Sequence, residues 1–296
     1  VHGDKEAVDA LLGHELVMAV SFVGSTRVAR YVYETGTSAG KRVQALGGAK
    51  NHMVVLPDAD VATAADAAVS AGFGSAGERC MAVSVVVAVG SSARADALVE
   101  AITERMPGIV VGTGDDPANE MGPLVTEAHR DKVATYVGGA SDEGATVVVD
   151  GRLHARVSGK GWYLGPTCLD HVTPSMSCYR DEIFGPVLSI VRVPSFEEAL
   201  DLVNSNPYGN GVAIFTSDGG AARRFQLEVE VGMVGVNVPI PVPVAYYPFG
   251  GWKSSLFGDL HAYGRDGVQF YTRGKVVTSR WPDPSHGGIE LGFPTN

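Results

Sequence analysis

The residues best suited to covalent chemistry lie in one glycine-rich segment, Phe73 to Met81. Its cysteine, Cys80, closely follows Gly77 and stands directly after Arg79. Backbone N–H groups can converge where glycines let the chain turn tightly, and a neighbouring cation favours the thiolate form of a cysteine. The segment therefore predicts a nucleophilic thiol at Cys80. A buried structural thiol is the alternative, because free cysteines are among the most buried residues.

A second candidate site is the turn at Gly24-Ser25. An apolar run of strand length, Leu16 to Phe22, precedes it, and the helix-like segment Arg27 to Glu34 follows. In a strand–turn–helix unit, unpaired N–H groups and the positive end of the helix dipole face one point, which suits a pyrophosphate. A serine that merely caps the helix would explain the same residues. The motif alone leaves both readings open.

These candidates must be positioned by an alternation of strand-like and helix-like segments. The predicted strands are Met53–Leu56, Ser84–Val89, Thr146–Val149, Val187–Val193, Gly211–Phe215 and Met233–Asn237. The predicted helices are Asp60–Ser70, Ala93–Arg105, Thr126–Gly138, Phe196–Asn204 and Gly220–Val229. The fold class is therefore α/β, with a doubly wound, mostly parallel sheet. We expect its active site at the carboxyl ends of the strands.

The carboxyl-terminal part of the chain lacks this alternation. From Asn237 onward, several prolines and the glycine-rich Phe249 to Trp252 predict a long irregular loop. The alternating pattern of Gln269 to Arg280 predicts a terminal edge strand that pairs with a neighbouring subunit.

Composition excludes several classes of function. The 296 residues carry 23 basic and 33 acidic side chains, a net charge of −10, which gives nucleic acid little electrostatic attraction. The longest apolar runs, such as Val85 to Val89, are far below the ~18–20 residues that cross a bilayer, so we expect no membrane partner. Three cysteines predict a reducing compartment, with Cys168 and Cys178 as packing or surface residues. We expect a cytoplasmic protein, or a mitochondrial matrix protein if it is eukaryotic.

The order of short motifs along the chain resembles the aldehyde dehydrogenase superfamily, over nearly the whole chain. These motifs are Gly24-Ser25, Leu46 to Asn51, Gly77 to Cys80, Glu182 to Val187, Asn206 to Gly209 and Pro248 to Gly251. A second set resembles the methylmalonate-semialdehyde dehydrogenase branch of that superfamily. It comprises Gly48 to His52, Glu78 to Ala82, Gly235 to Pro243 and Gly267 to Thr272. The resemblance implies an aldehyde dehydrogenase fold, NAD as cofactor and coenzyme A as acyl acceptor.

The resemblance also implies a role for individual residues. Cys80 would attack an aldehyde, and hydride transfer to NAD would leave a thioester on its sulfur. Among the cofactor-binding residues, Ser25 would contact the pyrophosphate, Glu182 the nicotinamide ribose, and Phe184 would pack near the nicotinamide. The same cofactor-binding set includes Gly24, Leu46 and Gly47. Without the resemblance, Glu182 would be interpreted as a solvated acid. We expect no metal site.

Leu46 is a departure from the hydrolytic members of the family, which carry a glutamate base in that position. Water, with a pKa of ~15.7, needs such a base to attack a thioester, whereas a thiol with a pKa of ~8–9 is already partly ionised near neutrality. Leu46 therefore favours an acylating enzyme that releases an acyl-CoA. The alternative is a hydrolytic aldehyde dehydrogenase with its base elsewhere.

Arg79 suggests the class of substrate. A guanidinium beside the nucleophile can hold a carboxylate through two hydrogen bonds. In the branch, the matching arginine is assigned to the carboxylate of methylmalonate semialdehyde or malonate semialdehyde, which is lost on the way to propionyl-CoA or acetyl-CoA. A structural ion pair or a thiolate-stabilising charge is the alternative for Arg79. The sequence does not distinguish the two semialdehydes.

The resemblance divides the chain into three parts. Residues 1–48 would be the end of an NAD-binding Rossmann-like domain, 49–260 the catalytic domain, and 261–296 a tail with the oligomerisation strand. We expect a carboxyl-terminal fragment of a homo-oligomer, a dimer or a tetramer. The asparagine that completes the oxyanion hole and a second carboxylate-binding arginine lie upstream in the family. A truncated, catalytically dead module that only binds partners is a further alternative.

Overall fold

A computed structural model describes residues 3–281 together with 283, 285, 289, 291 and 292. The helices are α1 (Lys5–Gly13), α2 (Thr26–Ser38), α3 (Val61–Phe73), α4 (Ser92–Arg105), α5 (Glu127–Ala140), α6 (Ser177–Arg180), α7 (Phe196–Ser205), α8 (Gly219–Glu228) and α9 (Gly264–Tyr271). The strands are β1 (Ala19–Val23), β2 (Arg42–Leu46), β3 (Asn51–Val55), β4 (Val83–Val89), β5 (Thr146–Val149), β6 (Thr167–Asp170), β7 (Val187–Val193), β8 (Tyr208–Gly209), β9 (Gly211–Phe215), β10 (Met233–Val236), β11 (Trp252–Lys253) and β12 (Leu256–Phe257).

The larger sheet has seven strands in the order β10-β9-β3-β4-β7-β6-β5. All its neighbouring strands are parallel except β5, which runs antiparallel to β6 at one edge. Successive side chains of its central strands enter two cores: Val85 and Val87 pack with helices α5, α7 and α8, whereas Val86 and Ala88 pack with α3 and α4. Burial on both faces explains the continuous apolar runs. The predicted doubly wound α/β sheet is confirmed.

A smaller sheet, β1-β2-β12, joins strands from the two ends of the chain. Strands β1 and β2 are parallel, and β12 returns to pair antiparallel with β2. Helices α1 and α2 cover this sheet through a small core, in which Leu12, Ala29, Val32 and Ala45 are buried. A two-stranded ladder of β8 and β11 lies beside it.

The carboxyl-terminal prediction needs a correction. Residues Gln269 to Tyr271 end helix α9 and do not begin a strand. Phe270 is the buried residue of this helix, whereas Val268 and Tyr271, one turn apart, share an exposed side. Residues 272–280 are exposed and without regular secondary structure in this chain, and their pairing with a neighbouring subunit stays a prediction. Part of the predicted tail, including 293–296, lies outside the described residues.

Other differences are smaller. The first predicted strand begins at Ala19 and not at Leu16, and α1, β2 and β6 are additional elements. Within the described residues, no helix is long and apolar enough to cross a membrane.

Candidate active site

Cys80 lies in the loop between α3 and β4, on a turn with an unusual backbone. Ser75, Ala76 and Gly77 all adopt left-handed conformations, with φ of 53°, 54° and 71°. This conformation is strained for Ser75 and Ala76, which are not glycines, and it persists only where the surrounding structure fixes it. Ala76 is buried, and a Cβ on Gly77 would lie 2.2 Å from the carbonyl oxygen of Gly185, so only glycine fits there. The predicted glycine-rich turn is thus built against the loop that precedes β7.

Two buried asparagines fix the backbone of the cysteine. The Nδ2 group of Asn51 donates to the carbonyl oxygens of Cys80 and Ala82, at 2.8 and 2.9 Å. The Nδ2 group of Asn210 also donates to the Cys80 carbonyl, at 2.9 Å. In return, Asn51 Oδ1 accepts from the backbone N–H of Gly211 at 3.0 Å. The cysteine is therefore held by the beginnings of β3 and β9.

The thiol of Cys80 is accessible, whereas Cys168 and Cys178 are buried. The buried-thiol alternative for Cys80 is therefore wrong. Partial burial raises the pKa of the Cys80 thiol, the charge of Glu182 raises it further, and hydrogen bonds from the backbone of Cys80 and Met81 lower it in part. Among the described residues, the groups that shift this pKa do not include Arg79.

An open groove of about 800 Å³ leads from Cys80 to the small sheet. A volume of this order is typical of a pocket for a sizeable ligand. The predicted residues that line it are Gly24, Ser25, Gly47, Cys80, Glu182 and Phe184. Further lining residues are Arg27, Arg30, His129, Lys132, Tyr136 and Tyr208. The groove thus brings together motifs that lie far apart in the sequence.

The turn at Gly24-Ser25 contributes the amino end of α2 to this groove. Ser25 occupies the cap position, but its side chain makes no capping hydrogen bond with the described backbone. The simple serine cap proposed as an alternative is therefore wrong. A Cβ on Gly24 would lie 2.6 Å from the ring of Phe22, so a side chain at this position would displace that ring. The hydroxyl of Ser25 and the first N–H groups of α2 are available to an anionic ligand.

Glu182 lies between the two sheets. Its Oε1 accepts from the backbone N–H of Ala49 at 2.9 Å, and a Cβ on Gly48 would collide with Oε2 at 2.5 Å. Burial raises the pKa of this carboxyl, and the Ala49 bond and the charges of Lys50 and Lys132 lower it in part. Glu182 is therefore a partly buried, positioned acid and not a solvated one.

Lys50 supports the segment that carries Glu182. Its buried Nζ donates to the carbonyl oxygens of Cys178 and Asp181, both at 2.7 Å. Burial lowers the pKa of this ammonium group to about 8. Because these two carbonyls flank the turn into Glu182, Lys50 fixes the path of that turn.

Phe184 has a left-handed backbone, with φ of 57°, and the residue is 39% exposed. The Nε2 atom of His129 lies 2.6 Å from its carbonyl oxygen and 3.5 Å from Oε1 of Glu78. His129 thus connects the Phe184 loop with the loop of the cysteine. The exposed ring leaves a flat apolar surface in the groove.

Arg79 lines a small adjoining cavity that also contacts Cys80, Glu182 and Phe184. Its Nε donates to Oγ of Ser75 at 2.9 Å. No carboxylate of the described residues forms an ion pair with Arg79, so a structural ion pair does not account for it. Leu46 lies outside both cavities: it is buried at the end of β2, where its carbonyl accepts from Gly24 N–H.

The expected position of the site relative to the strands is wrong for the larger sheet. Asn51 begins β3, Cys80 precedes β4, and Phe184 precedes β7, so this sheet meets the groove with its amino ends. The small sheet meets it with its carboxyl ends, at Gly24 and Gly47. The rule that ligands bind at the carboxyl ends of parallel strands holds for the small sheet. The larger sheet meets the same groove with the opposite ends of its strands.

Several residues at the site were not assigned from sequence: Asn51, Asn210, His129, Lys132 and Lys50. Asn51 and Lys50 stand in a quoted motif, which gave a signal for them. Asn210 and His129 gave none, because their contacts join segments far apart in sequence. In the part of the chain that the structure describes, no group of three or more histidine, cysteine, aspartate or glutamate residues could hold a metal ion.

A family model, the aldehyde dehydrogenase family, matches residues 1–277. The chain belongs to this family. A malonate-semialdehyde dehydrogenase from Pseudomonas aeruginosa is 57% identical over the whole chain, which covers 60% of that relative. A malonate-semialdehyde dehydrogenase from Geobacillus thermodenitrificans is 51% identical over 95% of the chain and 58% of its own length.

Solved structures of the family agree in fold. A methylmalonate-semialdehyde dehydrogenase from Oceanimonas doudoroffii is 56% identical, with a TM-score of 0.93, over 96% of this chain and 58% of its own. A Sinorhizobium meliloti protein solved with NAD is 52% identical, with a TM-score of 0.93 and the same coverage. The chain therefore spans about 60% of the length of the aldehyde dehydrogenases that it matches.

Proposed function

We propose that this chain is the catalytic part of an NAD-dependent, CoA-acylating semialdehyde dehydrogenase. The observation that carries the proposal is the position of Cys80. Its accessible thiol lines both the large groove, which contains Ser25, Glu182 and Phe184, and the small cavity that contains Arg79. One thiol thus adjoins a space for a nucleotide and a guanidinium for a carboxylate. The names of the relatives support a malonate- or methylmalonate-semialdehyde substrate.

The groove suits NAD because its surfaces match the parts of a dinucleotide. The amino end of α2 and the free hydroxyl of Ser25 suit the pyrophosphate. Glu182 can accept hydrogen bonds from ribose hydroxyls, and the exposed ring of Phe184 can pack against an aromatic ring. When bound, NAD supplies a hydride acceptor. Gly24 and Gly47 line this site, and the buried Leu46 lies behind it at the end of β2.

The proposed reaction begins when the Cys80 sulfur, after loss of its proton, bonds to the aldehyde carbon. The carbonyl π electrons move to oxygen, and the backbone N–H of Cys80 can stabilise the resulting oxyanion. Loss of hydride from this carbon to NAD leaves a thioester on Cys80. Arg79 holds the substrate carboxylate until its bond to the α-carbon breaks and carbon dioxide, or bicarbonate after hydration, leaves. The electron pair of that bond passes to the thioester carbonyl as an enolate, which takes a proton from water. The CoA thiol loses its proton and attacks the acyl carbon, and the bond from that carbon to the Cys80 sulfur breaks to release acyl-CoA and the cysteine thiolate.

Leu46 supports transfer to CoA over hydrolysis. The position is apolar and buried, so it offers no base to activate water. The hydrolytic alternative has one observation in its favour, since the carboxylates of Asp181 and Glu182 line the groove with Cys80. Burial raises the pKa of Glu182, which would make it a stronger base than an ordinary glutamate. The two functions differ in their requirement for CoA.

The proposal includes the organisation of the whole protein. We assign residues 1–48 to the end of the NAD-binding domain, 49–260 to the catalytic domain and 261–296 to a tail with an oligomerisation strand. A longer protein would supply the rest of the cofactor domain. We propose that this protein forms a homo-oligomer, either a dimer or a tetramer. It would lie in the cytoplasm or the mitochondrial matrix. The chain alone should bind NAD weakly, because half a dinucleotide crevice is absent from it.

The test measures NADH formation from malonate semialdehyde and from methylmalonate semialdehyde, with and without CoA. The enzyme is this chain joined to the amino-terminal part of the Pseudomonas aeruginosa relative. We expect CoA-dependent turnover with acetyl-CoA or propionyl-CoA as product, and its loss in Cys80→Ala but not in the matched control Cys168→Ala. Equal turnover without CoA would establish the hydrolytic alternative. Turnover by residues 1–296 alone would exclude a dead module.

A further inference from the structure

The guanidinium of Arg79 is oriented by two residues of the turn that precedes it. Its Nε donates to Oγ of Ser75, and its Nη1 lies over Gly74. A Cβ on Gly74 would be 2.8 Å from Nη1 and 3.1 Å from Cζ, so any larger residue there would displace the guanidinium. With Nε engaged, the outer edge formed by Nη1 and Nη2 is the edge left for a two-point contact with a carboxylate.

The backbone conformation of Ser75 sets the position of the hydroxyl that accepts from Arg79. Ser75 has φ of 53° and ψ of 39°, a left-handed conformation that is unfavourable for a non-glycine residue. The buried Ala76 and the bond from Glu78 N–H to the Ser75 carbonyl, at 3.0 Å, maintain it. Strain of this kind persists where surrounding contacts over-determine it, and it is concentrated at functional sites.

We propose that Ser75 and Gly74 are positioning residues that present Arg79 to a carboxylate-bearing substrate beside the Cys80 thiol. The proposal rests on the role proposed above for Arg79. Ser75 fixes the rotation of the guanidinium through Nε, and Gly74 provides the space in which it lies flat. Selectivity for an aldehyde with a terminal carboxylate then depends on residues that do not touch the substrate.

The proposal can be tested on residues 1–296 with two alkylating reagents, iodoacetate and iodoacetamide. The Cys80 thiolate displaces iodide from either, but only iodoacetate carries a carboxylate. The ratio of the two rate constants cancels any change in the pKa or accessibility of the thiol. Cys168 and Cys178 are buried, and mass spectrometry identifies the alkylated residue. Low ionic strength keeps the charge interaction measurable.

We expect Arg79→Ala to lower the iodoacetate-to-iodoacetamide ratio about tenfold or more. Ser75→Ala and Ser75→Gly should each lower it roughly 2- to 10-fold, because one orienting hydrogen bond is lost. Ser75→Gly also favours the left-handed backbone, so its effect cannot come from strain. Gly74→Ala should act in the same direction. Ser75→Asn, which tolerates this backbone and keeps an acceptor, should restore most of the ratio.

Ser38→Ala is the matched control: it removes an exposed hydroxyl at the far end of α2 and should leave the ratio unchanged. If Arg79→Ala lowers the ratio but the variants of Ser75 and Gly74 do not, the positioning role is wrong and the role of Arg79 stands. If Arg79→Ala also leaves the ratio unchanged, both the positioning role and the proposed carboxylate site are wrong.

Discussion

The two sheets of this protein meet one groove in opposite ways. The small sheet ends there with the turns at Gly24 and Gly47, which offer backbone groups and the free hydroxyl of Ser25. The larger sheet begins there, and the loops that enter its strands offer side chains, with Cys80, Glu182 and Phe184 among them. Helices α1 and α2 cover the small sheet through one small core, whereas the larger sheet has an extensive core on each face.

This difference separates two tasks. A nucleotide is held well by backbone N–H groups and a helix dipole, which require a particular turn but few particular side chains. A nucleophile must be held in a fixed position, and small displacements at a reacting atom are costly. In this chain the cysteine belongs to the more extensively buried half, and its carbonyl is held by Asn51 and Asn210. We therefore expect substitutions on the two sides of the groove to act differently.

The largest effect should come from Asn51, on the catalytic side. Asn51→Ala removes three buried hydrogen bonds and leaves the Ala82 carbonyl and the Gly211 N–H without that partner. We expect the free energy of unfolding to fall by about 2–4 kcal/mol, measured by urea denaturation. Asn210→Ala, the matched variant, removes a bond to the Cys80 carbonyl, which Asn51 still serves, and a weaker bond to the sulfur of Met81, and should cost about half as much. Equal costs would contradict the central role of Asn51.

Most strands of the larger sheet could be predicted from sequence, because its central strands are apolar runs buried on both faces, although the buried strand β6 was missed. Segments such as Val187–Val193 and Gly211–Phe215 are short, apolar and bounded by turn residues, so local pattern defined them to the residue. Strand β2 escaped prediction because Arg42 and Gln44 interrupt its apolar character. Both are satisfied by distant groups, the carbonyl oxygens of Thr272 and Leu260. Such partners are invisible to local pattern.

The same distinction applies to the candidate site. The turn around Cys80 and the turn at Ser25 were predicted because glycines mark both. The supports of the cysteine were not, because the bond between Asn210 and Cys80 joins residues 130 positions apart. The orientation of the larger sheet was wrong for a related reason: strand pattern gives a strand's position in sequence but not the side from which a cofactor approaches.

A second prediction concerns Glu182, which lies where the two halves meet. Glu182→Gln keeps an acceptor for the Ala49 N–H but removes a negative charge that raises the pKa of Cys80. The pKa of Cys80 should therefore fall, and its alkylation by iodoacetamide at a fixed pH below that pKa should become faster, by up to about tenfold. The rate is measured as a function of pH.

The control for Glu182 is Glu127→Gln, an exposed residue at the start of α5 that pairs with Arg130. This variant should leave the pH dependence of Cys80 alkylation unchanged. A midpoint that stays in place, or moves to higher pH, in Glu182→Gln would show that the carboxylate does not act on the thiol. The catalytic side would then be electrostatically independent of the loop that carries Glu182.

The smallest effect should come from Ser25, on the cofactor side. Ser25→Ala should change the free energy of unfolding by less than about 0.5 kcal/mol, because its side chain makes no capping bond with the described backbone. Ser195→Ala should cost about 1 kcal/mol, since Ser195 accepts from the Glu198 N–H at the start of α7. Both are measured by urea denaturation. A hydroxyl that the fold does not need, at a helix end that faces the groove, is then free for a ligand. A cost at Ser25 equal to that at Ser195 would instead make it an ordinary cap and remove this difference between the two sides.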